Sequence, residues 1–189
     1  WQENYRHLKQ YADANGNTSV AHDHPMLGNW ISLQRTVRKT GKLSSKRIQL
    51  LDEIGFIWDQ RDYEWQEKYA LVKQYLDENG DAKIPARHPT LGKWISTQRY
   101  EKKKGQLTDE RIQLLDAIGI IWDPLDQEWR EKYQELQQFI DKNPNDKVSA
   151  KHPSLGAWVS KQRTAKRNGK LSDEYTQLLD NVAFAWNPL

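Results

Sequence analysis

A Gln-Arg pair occurs three times in this chain, as Gln34-Arg35, Gln98-Arg99 and Gln162-Arg163. Cations follow each pair closely: Arg38, Lys39 and Lys42, then Lys102 and Lys103, then Lys166, Arg167 and Lys170. Guanidinium and ammonium groups along one helix flank suit phosphate oxygens, which they meet through charge-assisted hydrogen bonds. The pair also has base-reading chemistry, since in a major groove Gln bonds adenine N6/N7 and Arg bonds guanine O6/N7. Each Gln stands at the end of an apolar stripe, so the expected role for Gln is a backbone bond within the fold. Arg is expected to contact a phosphate or a base.

Other chemistry is sparse. There is no G-x-x-x-x-G-K-[ST] loop, no H-E-x-x-H and no cysteine, so neither a catalytic site nor a cofactor or metal is expected. His24, His88 and His152 each precede a proline without a second ligand at useful spacing; capping a helix or touching a phosphate there suits them better than holding a metal. Asp52, Asp116 and Asp180 recur without a recurring partner and read as surface carboxylates. Gly28, Gly92 and Gly156 lie early in a helix, where Gly costs about 1 kcal/mol against Ala. Close approach of another helix is the ordinary reason, and close approach of a ligand backbone the sharper one.

The elements that position these residues follow from a repeat. The nine tryptophans form three sets, Trp1/Trp65/Trp129, Trp30/Trp94/Trp158 and Trp58/Trp122/Trp186, each spaced by 64 residues. Such fixed self-similarity is the signature of a tandem array. The expected architecture is all-α, three small three-helix bundles at residues 1–64, 65–128 and 129–189. Trp65, Tyr69, Val72 and Leu76 give the apolar stripe of the first helix, which Asn79-Gly80 stops. Asp123-Pro124 reads as an N-cap followed by proline at the first helical position. One inward apolar residue (Val20, Ile84, Val148) precedes the His-Pro step. Helix two is expected from near that proline to Gly41, Gly105 or Gly169, with Leu27, Trp30, Ile31 and Gln34 on one face. Helix three opens at Ser44, Thr108 or Ser172, carries Ile48, Leu51 and Ile54, and ends at Gly55 in the first copy. The tail Phe56-Ile57-Trp58 folds back to close the core. At core positions the tryptophans serve packing, and stacking on unpaired bases is the minor reading.

The third copy departs from the pattern at Pro144, at Thr176 and in its ending Asn-Val-Ala-Phe-Ala-Trp, so it is expected to be the loosest. A start on Trp1, and an end on Asn187-Pro188-Leu189 that parallels Asp123-Pro124-Leu125, suggest a piece of a longer array. The chain is polar, with a mean hydropathy of −0.98. It has no apolar run of membrane-spanning length and no signal-peptide pattern, which points to a cytoplasmic setting, without membrane partners, and a monomeric fragment.

Charge is unevenly distributed. Residues 27–43 and 155–171 hold four and five cations without an acid, and residues 91–107 hold five against Glu101. These segments carry +13 of a formal net charge of +3, leaving −10 elsewhere. Arg35, Arg38, Lys39 and Lys42 repeat the i, i+3, i+4, i+7 spacing about 80° round from the apolar face. A single basic run is usually a solvated face, but three in register form a track suited to phosphates.

The pattern W-x3-Y, L-G-x-W-[IV]-x2-Q-R, G-x-L and L-L-[DE]-x-[IL]-G-[FI]-x-W resembles the helicase-associated domain, a short repeated module of bacterial helicase-like proteins. The resemblance covers the whole chain, copy by copy. It implies a three-helix fold, a nucleic-acid-binding role through Trp30-Ile31, Gln34-Arg35 and their equivalents, and partnership with a helicase-like remainder of the polypeptide. The expected ligand is DNA, with RNA as the second choice. The alternative is a protein–protein interaction scaffold whose basic stripe meets an acidic partner.

Overall fold

Helix-start and helix-stop chemistry is written into every repeat, and the computed structural model follows it through residues 1–80, 84–144 and 146–187, the residues it describes. These form nine α-helices and no strand: α1 Gln2–Asn15, α2 Gly28–Lys39, α3 Ser45–Glu53, α4 Gln60–Asn79, α5 Gly92–Lys103, α6 Asp109–Ala117, α7 Pro124–Lys142, α8 Gly156–Arg167 and α9 Asp173–Asn181. The architecture is therefore all-α, three tandem three-helix repeats. Asp123 caps α7, its carboxylate accepting the Leu125 and Asp126 N–H groups at 3.0 Å with Pro124 as the first helical residue. Asp59 caps α4 in the same way, at 2.9 and 3.0 Å from the Arg61 and Asp62 nitrogens. α4 stops at Gly80, whose φ of 68° needs a residue without Cβ strain.

Two compact units divide within α5, one comprising Trp1–Asp81 and Ala86–Ile95, the other Ala82–Pro85 and Ser96–Leu189. The first unit buries Leu8, Leu27, Trp30, Ile31, Leu43, Leu51 and Phe56 together. The second buries Trp129, Tyr133, Leu136, Val148, Leu155, Val159, Leu179 and Phe184. Full burial of one such side chain is worth about 1.5–3 kcal/mol. A helix as short as α3 or α9, at nine residues, is marginal by itself and depends on that packing.

Polar ties fix the register of the three helices. The Tyr5 hydroxyl donates to the Leu50 carbonyl at 3.1 Å, and the Tyr133 hydroxyl to the Leu178 carbonyl at 3.0 Å, joining helix one to helix three. In the third repeat Arg130 adds bonds to Asp126 at 2.8 Å and to Glu174 at 2.6 Å, and the Tyr175 hydroxyl donates to Asp126 at 2.7 Å. Position 130 is glutamine in the other two repeats, at Gln2 and Gln66. The divergent ending keeps the path of the others: Phe184 is buried where Phe56 is, and Ala183 holds φ 51° where Gly55 holds 66°.

Two expectations are corrected. Helix two begins at glycine rather than at the His-Pro step, and it ends at Lys39, Lys103 or Arg167, short of the Gly41, Gly105 or Gly169 positions. In the first and third repeats the glycine is demanded by backbone of the same repeat, not by another helix. A Cβ on Gly28 would overlap the His22 carbonyl, and one on Gly156 the Ala150 carbonyl.

Candidate nucleic-acid interface

The apolar face of helix two carries its glutamine inward. Gln34, Gln98 and Gln162 are 4%, 3% and 4% exposed, too buried to read a base. The amide oxygen of Gln34 accepts the Trp1 indole N–H at 3.0 Å, and that of Gln162 accepts the Trp129 indole N–H at 3.0 Å. The expected backbone bond is secondary: each amide nitrogen reaches the carbonyl four residues earlier, Trp30 or Trp158, at 3.4 Å.

One position on, the arginine is half-buried and tethered. Arg35 donates through Nε to the Ile57 carbonyl at 2.9 Å, Arg99 to Ile121 at 2.9 Å and Arg163 to Ala185 at 2.8 Å. Arg35 also reaches the Gln60 side chain at 3.2 Å and lies over the Phe56 ring. The tail that follows helix three is thus pinned to helix two by a guanidinium. Burial pulls the Arg35 and Arg99 groups below the ordinary arginine value, opposed by attraction from Asp59 and Asp123; for Arg163 burial acts alone. All remain charged in the physiological range.

The second cation of each stripe lies on a tryptophan. Arg38 stands 4.1 Å from the Trp58 ring centroid, Lys102 3.8 Å from Trp122 and Lys166 3.8 Å from Trp186. The indole N–H of each donates to a helix-three carboxylate: Trp58 to Asp52 at 2.6 Å, Trp122 to Asp116 at 2.5 Å and Trp186 to Asp180 at 2.6 Å. The recurring aspartates therefore have a recurring partner, contrary to the reading from sequence. Their separation of six residues from the tryptophan was a visible signal in all three copies. Lys102 and Lys166 further approach Asp116 and Asp180 at 3.9 and 3.8 Å. With a cation on each indole, and Phe56 or Phe184 against Trp58 or Trp186, these rings are poor platforms for an unpaired base.

What remains outward is a smaller set. Lys39, Lys42, Lys103, Arg167 and Lys170 are exposed and form no ion pair among the described residues. Lys42 and Lys170 follow the left-handed Gly41 and Gly169, so they lie beyond the helix and do not extend its stripe. The histidines brace the turn that leads into helix two. Nδ1 of His24, His88 and His152 accepts the N–H of Leu27, Leu91 and Leu155 at 3.3, 3.2 and 3.2 Å. Among the described residues no cluster of His, Asp and Glu could hold a metal, and no helix is long and apolar enough to cross a membrane.

No curated protein and no solved structure matches the chain. A family model described as Helicase associated domain matches it three times in succession, over residues 1–59, 62–123 and 126–187. Those spans begin with the helix-one tryptophan or just before it and run to the pinned tail, so each match embraces the arginine tether and the tryptophan–aspartate bond of its repeat. The chain belongs to the helicase associated domain family.

Proposed function

We propose that the chain is a non-catalytic array that binds nucleic acid, DNA first, through the basic second helix of each repeat, and so positions a helicase-like protein. The units of action are the repeats at residues 1–64, 65–128 and 129–189. The observation that carries this reading is the outward set Lys39, Lys42, Lys103, Arg167 and Lys170, in segments almost free of acids while the rest of the chain is net acidic. Arg35, Arg99, Arg163, Arg38, Lys102 and Lys166 support the site as half-engaged cations that add to its potential. Gln34, Gln98 and Gln162 hold the helix in place. Phosphate contacts of this kind position a duplex with little regard to sequence.

The test is a titration of duplex DNA, single-stranded DNA and the RNA equivalents across a salt series. Five phosphate contacts predict a loss of affinity of about 500-fold between about 50 and 200 mM salt. The triple substitution Lys39/Lys103/Arg167→Ala reduces the magnitude of the log–log salt slope by about 3. Absence of binding to all four ligands at low salt overturns the proposal and favours a scaffold that meets an acidic protein.

A further inference from the structure

One seat within the proposed interface differs from its two counterparts, and this inference rests on the nucleic-acid reading above. Between α8 and the tail that follows α9 lies an open cleft of about 510 Å³ whose lining includes Arg163, Lys166, Arg167, Trp186 and Asn187. The bond from Arg163 Nε to the Ala185 carbonyl fixes the guanidinium, and no carboxylate accepts from its terminal nitrogens among the described residues. Asp146 lines the neighbouring cleft together with Arg163 but forms no ion pair with it. In the first two repeats the position of Asn187 is held by Asp59 and Asp123. Those carboxylates cap the next helix and also attract Arg35 and Arg99. The tail and helix three together supply two acids in repeats one and two, and one, Asp180, in repeat three, where Asp146 of the adjoining cleft is the other nearby acid.

We infer that the cleft of the third repeat is the principal phosphate seat of the chain, taking a phosphodiester oxyanion between Arg163 and Arg167, and that Asp59 and Asp123 hold the equivalent seats of the first two repeats weak. Asn and Asp cap helices about equally well. The acid at this position is therefore not imposed by the fold, and its charge is free to set how strongly the preceding repeat attracts an anion.

The experiment measures the affinity of the full chain for a labelled DNA duplex about two turns long, at low salt. It compares the unaltered chain with Asn187→Asp, Asp59→Asn and Asp123→Asn. Gln177→Glu, an exposed change on α9, controls for net charge. Asn187→Asp is expected to weaken binding about fivefold, the attraction of one close charge pair in water, and to do so well beyond Gln177→Glu. Asp59→Asn and Asp123→Asn are each expected to tighten it by a similar factor, with urea midpoints unchanged because the cap survives. If the chain binds DNA but Asn187→Asp matches Gln177→Glu, or the two Asp→Asn changes do not tighten binding, this inference is overturned and the nucleic-acid reading stands. If the unaltered chain binds no duplex and no single strand, that underlying reading is what fails.

Discussion

Gln162 and Gln34 lie in the core because their amide oxygens accept the indole N–H of Trp129 and Trp1. Replacing Gln162 by Leu leaves that N–H unpaired and should cost about 1–3 kcal/mol of stability, read as a urea midpoint. DNA affinity of the folded variant should be unchanged, whereas a base-reading role would show as lost affinity. Arg35→Lys keeps the charge but loses the Nε bond to the Ile57 carbonyl and the guanidinium's place over the Phe56 ring; about 1–2 kcal/mol of destabilisation is expected from the same measurement. Tyr175 carries a pH signature. Burial first, then its bond to Asp126, pushes the hydroxyl up to about 12, from about 10 when unfolded. Because the folded value is raised, this contribution is intact below about pH 10 and disappears as pH rises towards about 12. Tyr175→Phe should remove that alkaline step from a plot of urea midpoint against pH. The burial of Gln was legible in sequence from its place at the end of the apolar stripe. The tethering of Arg was not, because its partner is a carbonyl 22 residues away, and carbonyls leave no mark on residue type.

Helix limits were legible wherever a residue type enforces them, as Asp59, Asp123-Pro124 and Gly80 do. Helix two starts past the His-Pro step because a turn braced by the histidine ring nitrogen comes first, the role expected of those histidines but not its effect on where the helix begins. His88→Ala should cost about 0.5–1.5 kcal/mol, as loss of one hydrogen bond does, and His88→Asn should recover part of it in thermal unfolding. The end of helix two was also read too late. Lys42 and Lys170 then appeared to share the helix phase, when the left-handed Gly41 and Gly169 break it. The third repeat tests the energetics of one backbone position. Ala183 at φ 51° is strained by about 1 kcal/mol. Ala183→Gly should stabilise that repeat and raise its melting temperature by about 4–8 °C; an unchanged or lower value would count against strain there. The additional ties of Arg130 and Tyr175 act in the opposite sense to that strain.

Over the whole chain, the tandem architecture was legible because the tryptophans keep one register, and the charge separation because acids are nearly excluded from each second helix. How many of those cations stay outward was not legible. Folding places three of them on tryptophan rings and three against tail carbonyls. If the repeats contribute independently, removing outward cations from one repeat should multiply with removal from another in its effect on DNA affinity. The chain's two linker aspartates add a consequence for any rearrangement of the array. Asp59 and Asp123 begin the helix of one repeat yet face the arginine of the repeat before it. The first two repeats therefore take part of their electrostatic character from the residue that starts the next repeat's first helix. A repeat transplanted to a new context will change its neighbour on the upstream side, and recombination points are best chosen after the capping residue so that the pair travels together.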